Sequence, residues 1–217
     1  MLKELVLGFI LALRPAWHAE DWDLETKEER DARREMIVEV AEEVSFEGHT
    51  DFNPADNLAL TLILWKFESG NFEYHVHGKG EKSPLGTQDG GRAACLGQIH
   101  RNAMKEEEWR NLAGRSREAT KRCAIRTQEI FAYHARRCKI RHNIPKERRW
   151  KTKMTKYEAW VLFTAYGSGF RCDMQKSKNM IDRMTAYDNL RKKLPNHVPV
   201  KHEEKEEEEK DTETEKS

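Results

Sequence analysis

A chain of 217 residues and 25.5 kDa has room for one domain with a sizeable core and tails, and too little for several. Charged residues make up 35% and mean hydropathy is -0.91, so the apolar residues are gathered into Leu2 to Leu13, Leu58 to Phe67 and Trp160 to Tyr166, all too short to span a bilayer. The net charge of +1 conceals an asymmetry: residues 101–157 carry a large excess of Lys and Arg, and the residues after His202 are strongly acidic. The basic stretch suits a polyanion, either nucleic acid or an anionic cell-wall polymer, or else it is a solvated helix face.

Residues 1–19 combine Lys3, an apolar run and the small residues Ala16 and Ala19. They read either as a secretory signal or as an amphipathic helix packed on the domain that follows. Thr26 and Glu29 then form a capping box, with Ala32, Met36, Ile37, Val40, Ala41 and Val44 at helical spacing behind it. Asn53 and Pro54 supply an N-cap and a first-turn proline for the next helix. From Leu58 onward that helix is apolar nearly all the way round, so it is expected to be the buried centre of the fold.

Glu68 ends this helix and is followed by Ser69 and Gly70. The apolar surroundings of Trp65, Phe67 and Phe72 disfavour a carboxylate there, as does the negative end of the helix dipole, so the pKa of Glu68 is expected to rise. A glutamic acid that keeps its proton near neutral pH suits a general acid. The following stretch, Gly70 to Arg92, is glycine-rich, lacks apolar periodicity and reads as a long functional loop holding His75 and His77. Two histidines without a third ligand nearby do not predict a metal site, and no cofactor is expected.

Cys95 to Ile99 restores apolar character and is expected to open a short helix carrying Gln98. Further helices are expected over 104–112 and 117–138, then a basic connection from Lys139 to Lys153. Thr155 and Glu158 cap a second all-round apolar helix that ends at Tyr166-Gly-Ser-Gly169. A final amphipathic helix presents Met180, Ile181, Met184, Tyr187 and Leu190, and residues 196–217 form an acidic tail expected to be disordered. Cys123 and Cys138, about 22 Å apart on one helix, cannot bridge each other. Any disulfide therefore joins one of them to Cys95 or Cys172, or none forms. The chain is thus expected to be mainly α, a single helical domain over 20–195 with a long glycine-rich loop beside its site.

The order of Glu68-Ser69, Cys95-Leu-Gly-Gln-Ile99 and Ala165-Tyr-Gly-Ser-Gly169 resembles that of the lytic transglycosylases related to goose-type lysozyme, whose E-S, G-L-x-Q-I and A-Y-N-x-G motifs follow in the same order. The resemblance spans about Asn53 to Leu194, with Cys95 in place of the first motif glycine and Gly167 in place of the asparagine. It implies a lysozyme-like fold and a monomeric enzyme acting on peptidoglycan glycan strands, in the cell envelope, exported, or encoded by a phage. It further implies that Glu68 is the single acid and base that cleaves between N-acetylmuramic acid and N-acetylglucosamine to leave a 1,6-anhydro sugar. Ser69, Phe72, His75, Gln98, Ile99, Tyr166 and Gly167 would contact substrate, with Ser69 alternatively capping the helix. A hydrolase of the same fold would need a second acid, Asp89 or Glu73. A silent wall-binding homologue and a nucleic-acid-binding helical protein are the readings from other classes.

Overall fold

The computed structural model describes residues 2–13, 25–77, 93–169 and 171–195, and over these the chain is mainly helical. Its elements are α1 (Leu2–Leu11), α2 (Lys27–Phe46), α3 (Pro54–Glu68), α4 (Tyr74–His77), a hairpin of β1 (Ala93–Ala94) and β2 (Ile99–His100), α5 (Glu106–Arg110), α6 (Arg117–Arg137), α7 (Lys146–Arg149), α8 (Lys156–Ser168) and α9 (Lys178–Lys193). Both capping boxes form, at Thr26 with Glu29 and at Thr155 with Glu158, and Asn53 caps α3 by accepting from the Ala55 amide.

Every residue of α3 from Ala55 to Trp65 is buried, because α2, α6 and α9 cover it on all sides. Each fully buried Leu, Ile or Trp here contributes about 1.5–3 kcal/mol of hydrophobic stabilisation before entropy is counted. Three polar residues, Asp56, Asn57 and Thr61, are taken inside with them, and Asp56 accepts from the Met154 amide at 2.7 Å and pairs with Arg191 of α9 at 2.5 Å. The helix α8 is similarly apolar and lies against α6 and α9. Of the face expected on α9, Met180, Met184, Tyr187 and Leu190 are buried, but Ile181 is 49% exposed. Its place in the interior goes to Arg183 and Arg191, whose paired acids lie on α3.

The buried face of α2 likewise includes two arginines in addition to its aliphatic stripe, while Ala32 is exposed. Arg34 donates to the carbonyls of Leu13 and Asn71, and Arg33 donates to that of Phe72 while pairing with Glu25. Asn71 and Phe72 have left-handed backbones, with φ of 67° and 65°, a conformation that costs a bulky residue roughly 1–2 kcal/mol. The two guanidinium groups therefore hold the chain in an unfavourable turn directly after Glu68. In front of α2, α1 packs through the fully buried Val6 and Ile10. No helix among the described residues is long and apolar enough to cross a membrane.

Part of the basic surplus of the middle segment is matched by acids elsewhere in the fold. Arg117 of α6 pairs with Glu39 and Glu43 of α2, and Lys121 pairs with Glu43 and Glu47, so one helix carries the counter-charge of the other. Arg149 pairs with Asp51, and Arg101 and Arg110 share Glu106. The acidic tail expected beyond residue 195 lies outside the described residues.

Candidate active site

Three segments converge at the C-terminal end of α3. The first is Glu68 itself, 25% exposed at its side chain, with Oε1 at 2.9 Å from a guanidinium nitrogen of Arg183 on α9. Ser69, immediately after it, is fully buried: its hydroxyl donates to the Trp65 carbonyl and accepts from the Phe72 amide at 3.0 Å. Ser69 is thus a cap for the turn. Phe72 is fully buried in the core below, so neither residue can meet a ligand as the substrate-contact reading required.

The second segment is the hairpin. The stretch Cys95 to Ile99 does not open a helix. Cys95 to Gln98 form the turn between β1 and β2, and Ile99 starts β2, because Cys95 and Gln98 take left-handed φ values of 56° and 48°, which no right-handed helix accommodates. The Gln98 side-chain amide donates to the Cys95 carbonyl at 2.9 Å and so braces its own turn. Between them, Gly97 is needed for its small size. A Cβ there would stand 2.8 Å from the Thr127 hydroxyl, 3.1 Å from the Tyr166 hydroxyl and 3.3 Å from the Trp65 indole nitrogen.

The third segment is the end of α8. Tyr166 donates its phenolic hydrogen to the Gly97 carbonyl at 2.8 Å, which joins this segment to the hairpin. Burial, and secondarily the Glu68 carboxylate, push the phenol pKa well above its ordinary value, so Tyr166 remains a neutral donor. Gly169, with φ of 70°, ends the helix in the left-handed conformation that glycine accepts without strain.

Two disulfides tie these segments to α6. Cys95 bridges Cys123 and Cys138 bridges Cys172, so the hairpin turn and the loop after α8 are each stapled to the same long helix. Both pairings fall among those the helical separation of Cys123 and Cys138 leaves open. Cys95 thus combines a left-handed backbone, with φ of 56°, and a covalent tether to α6.

Two cavities open on either side of Glu68. One, of about 470 Å³, is lined by Phe67, Phe163, Thr164, Gln175, Asn179 and Arg183 among others. The other, of about 910 Å³, includes Ile99, Arg126, Glu129, Tyr133, His134 and Tyr166. Glu68, Gln98, His100 and Gly167 line both, so the two form one groove with the carboxylate near its middle. Each half has the size of a small-ligand site, and the pair suits an extended ligand better than a compact one.

The remaining expected residues divide clearly. Gln98, Ile99, Tyr166 and Gly167 border the groove with Glu68. His77 does not: it is buried between Thr120 and Arg33, and burial, followed by the charges of Arg33 and Arg115, lowers its pKa well below the ordinary 6.5. Glu73 is completely buried, not a solvated loop acid, and is absent from both linings. Asp89 and the His75 side chain lie outside the described residues. No group of three or more His, Cys, Asp or Glu among the described residues could hold a metal.

Sequence reasoning missed Arg183, His100 and Glu129. Arg183 and Glu129 sit on helices in which charged and apolar residues are nearly equal in number, and only the packing of those helices separates a groove residue from a solvated one. The chain matches no family model, no curated protein and no solved structure.

Proposed function

We propose that the chain is a peptidoglycan-cleaving lytic transglycosylase, monomeric and acting in the cell envelope, after export, or as a phage product. The observation that carries this reading is the groove with Glu68 near its middle, bordered by Gln98 and by Tyr166-Gly167. A polymer laid along it would present its scissile bond over the carboxyl group. Protonated Glu68 gives its proton to the glycosidic oxygen as the C1–O bond breaks. The resulting carboxylate takes the proton of the muramyl C6 hydroxyl as that oxygen attacks C1, closing the 1,6-anhydro ring. The acid is regenerated, no water is consumed, and one carboxyl group suffices, whereas hydrolytic glycosidases employ two. Gln98 and Gly167, which border both halves of the groove together with Glu68, support the glycan.

Glu129 favours a second reading. It lines the larger cavity and is paired with Arg126 at 3.0 Å, so it offers the groove another carboxylate that could direct a water molecule. The test is mass spectrometry of the soluble products formed from purified peptidoglycan. Anhydro-muropeptides released by the unmutated protein and not by Glu68→Gln support the transglycosylase. Reducing-end products whose formation requires Glu129 support the hydrolase. Binding to the wall without any release would leave a silent homologue and overturn both.

A further inference from the structure

Arg183 is unusual for a cation beside a groove. Its side chain is only 7% exposed, its guanidinium lies 5.3 Å from the Phe67 ring centre and 5.8 Å from that of Phe163, and its Nε has no hydrogen-bond partner. A guanidinium so enclosed is costly to leave without a counter-charge. Glu68 supplies it, and Glu68 is the one carboxylate among the described residues lining the smaller cavity. The other titratable groups nearby offer Arg183 no substitute anion: Glu129, the second carboxylate of the groove, lines only the larger cavity and is paired with Arg126. His100 and Tyr166 are not acids of that kind, Arg126 adds further positive charge, and Asp182, exposed on α9, interacts with Lys66.

A general acid must carry a proton, and a protonated Glu68 no longer balances Arg183. We propose that Arg183 is a positioning and specificity residue that exchanges partners: a carboxylate borne by the glycan enters the smaller cavity, pairs with Arg183, and releases Glu68 to take up a proton from solvent. This inference rests on the proposed glycan cleavage, and it adds that the ligand must be an acidic glycan. A neutral one would leave Glu68 held by Arg183. The wall of the cavity agrees in character, since Thr164, Gln175, Ser177 and Asn179 are uncharged hydrogen-bonding residues around a single buried cation of the Lys and Arg type.

The test is equilibrium binding, which does not depend on turnover. An oligosaccharide carrying a carboxylate on its muramyl substituent and the same compound as its carboxamide are titrated calorimetrically into the full chain and into Glu68→Gln, Arg183→Gln and Arg183→Lys. Removing the competing carboxylate in Glu68→Gln is expected to tighten binding of the acid about tenfold and leave the amide unchanged. Arg183→Gln is expected to bind acid and amide equally, and Arg183→Lys to retain a reduced preference for the acid. Circular dichroism melts establish that each variant is folded, and the lysine variant carries the test if the glutamine one is not. Equal affinity for acid and amide in both the unmutated chain and Glu68→Gln would overturn the proposal. Failure of the enzymatic reading shows separately, as absence of muropeptide release by the unmutated protein.

Discussion

Gly97→Ala is the substitution with the best-defined consequence. The added methyl meets the Thr127 hydroxyl at 2.8 Å, and that hydroxyl is fixed from two sides, accepting from the Trp65 indole at 3.1 Å and donating to the Cys123 carbonyl at 2.8 Å. Thr127 cannot retreat without breaking at least one of these buried bonds, and Tyr166, at 3.1 Å from the new atom, bonds the carbonyl of the same glycine. Overpacking of this kind costs about 1–3 kcal/mol, and one lost buried hydrogen bond adds about 1 kcal/mol. A loss of roughly 2–4 kcal/mol corresponds to a melting temperature lower by about 10 °C for a domain of this size. The assay is thermal denaturation followed by circular dichroism, with Thr127→Ala and the double variant completing a cycle. Thr127→Ala alone leaves the indole hydrogen unpaired and destabilises, but it also makes room. The two substitutions are therefore expected to cost less together than the sum of the singles by more than about 1 kcal/mol. A Gly97→Ala protein melting within about 1 °C of the parent, or strictly additive losses, would refute the reasoning.

Asp56→Asn strands Arg191, which is 2% exposed, and is expected to destabilise by about 3–5 kcal/mol in a urea titration, with Asp56→Ala no better. Reduction with dithiothreitol releases loops of 28 and 34 residues, each bridge contributing roughly 3–4 kcal/mol by chain entropy; the reduced protein should melt well below the oxidised one. His77 is held neutral with a pKa well below 6.5, so the unfolded chain binds a proton that the folded one refuses once pH falls through 6.5. The stability present above that pH is lost below it, by up to about 1.4 kcal/mol per pH unit, and His77→Gln should flatten that slope between pH 6.5 and 5 in urea titrations. The rows of Glu43 and Glu47 against Lys121 and Arg117 are exposed pairs, and 1 M salt should shift the midpoint through them only slightly.

Helices with strong local signals were legible in the sequence. The two capping boxes, the Asn53-Pro54 start and the all-round apolar character of α3 and α8 are properties of neighbouring residues, and local chemistry dominates them. The turn at Cys95 to Gln98 was not legible, because Leu and Ile at helical spacing look the same whether or not Cys95 and Gln98 adopt positive φ. That choice is made by tertiary partners: the bridge to Cys123 and the space that Thr127, Tyr166 and Trp65 leave around Gly97. Glu68 and Gln98 could be singled out because polar groups in apolar runs are informative. Arg183 could not, since an arginine flanked by Asp182 and Met184 on an amphipathic helix reads as surface until α3 and α8 close over it. For the same reason Phe72 reads as an aromatic groove wall, when the left-handed turn that Arg33 and Arg34 hold has directed it into the core.

The placement of Cys123 and Cys138 at 15 residues' separation turns α6 into a ruler. At about 1.5 Å of rise per residue, the two points where groove-bordering segments are fastened lie roughly 22 Å apart on one rigid rod. Their relative bearing is set just as strictly, since each residue of an α-helix advances by about 100°. A single residue inserted between them would move the second tether by only about 1.5 Å but swing it through more than a quarter of a turn. The register of this helix therefore matters more to the alignment of the groove than its length does, and α6 can tolerate changes in what its exposed face carries far better than a change in how many residues it has.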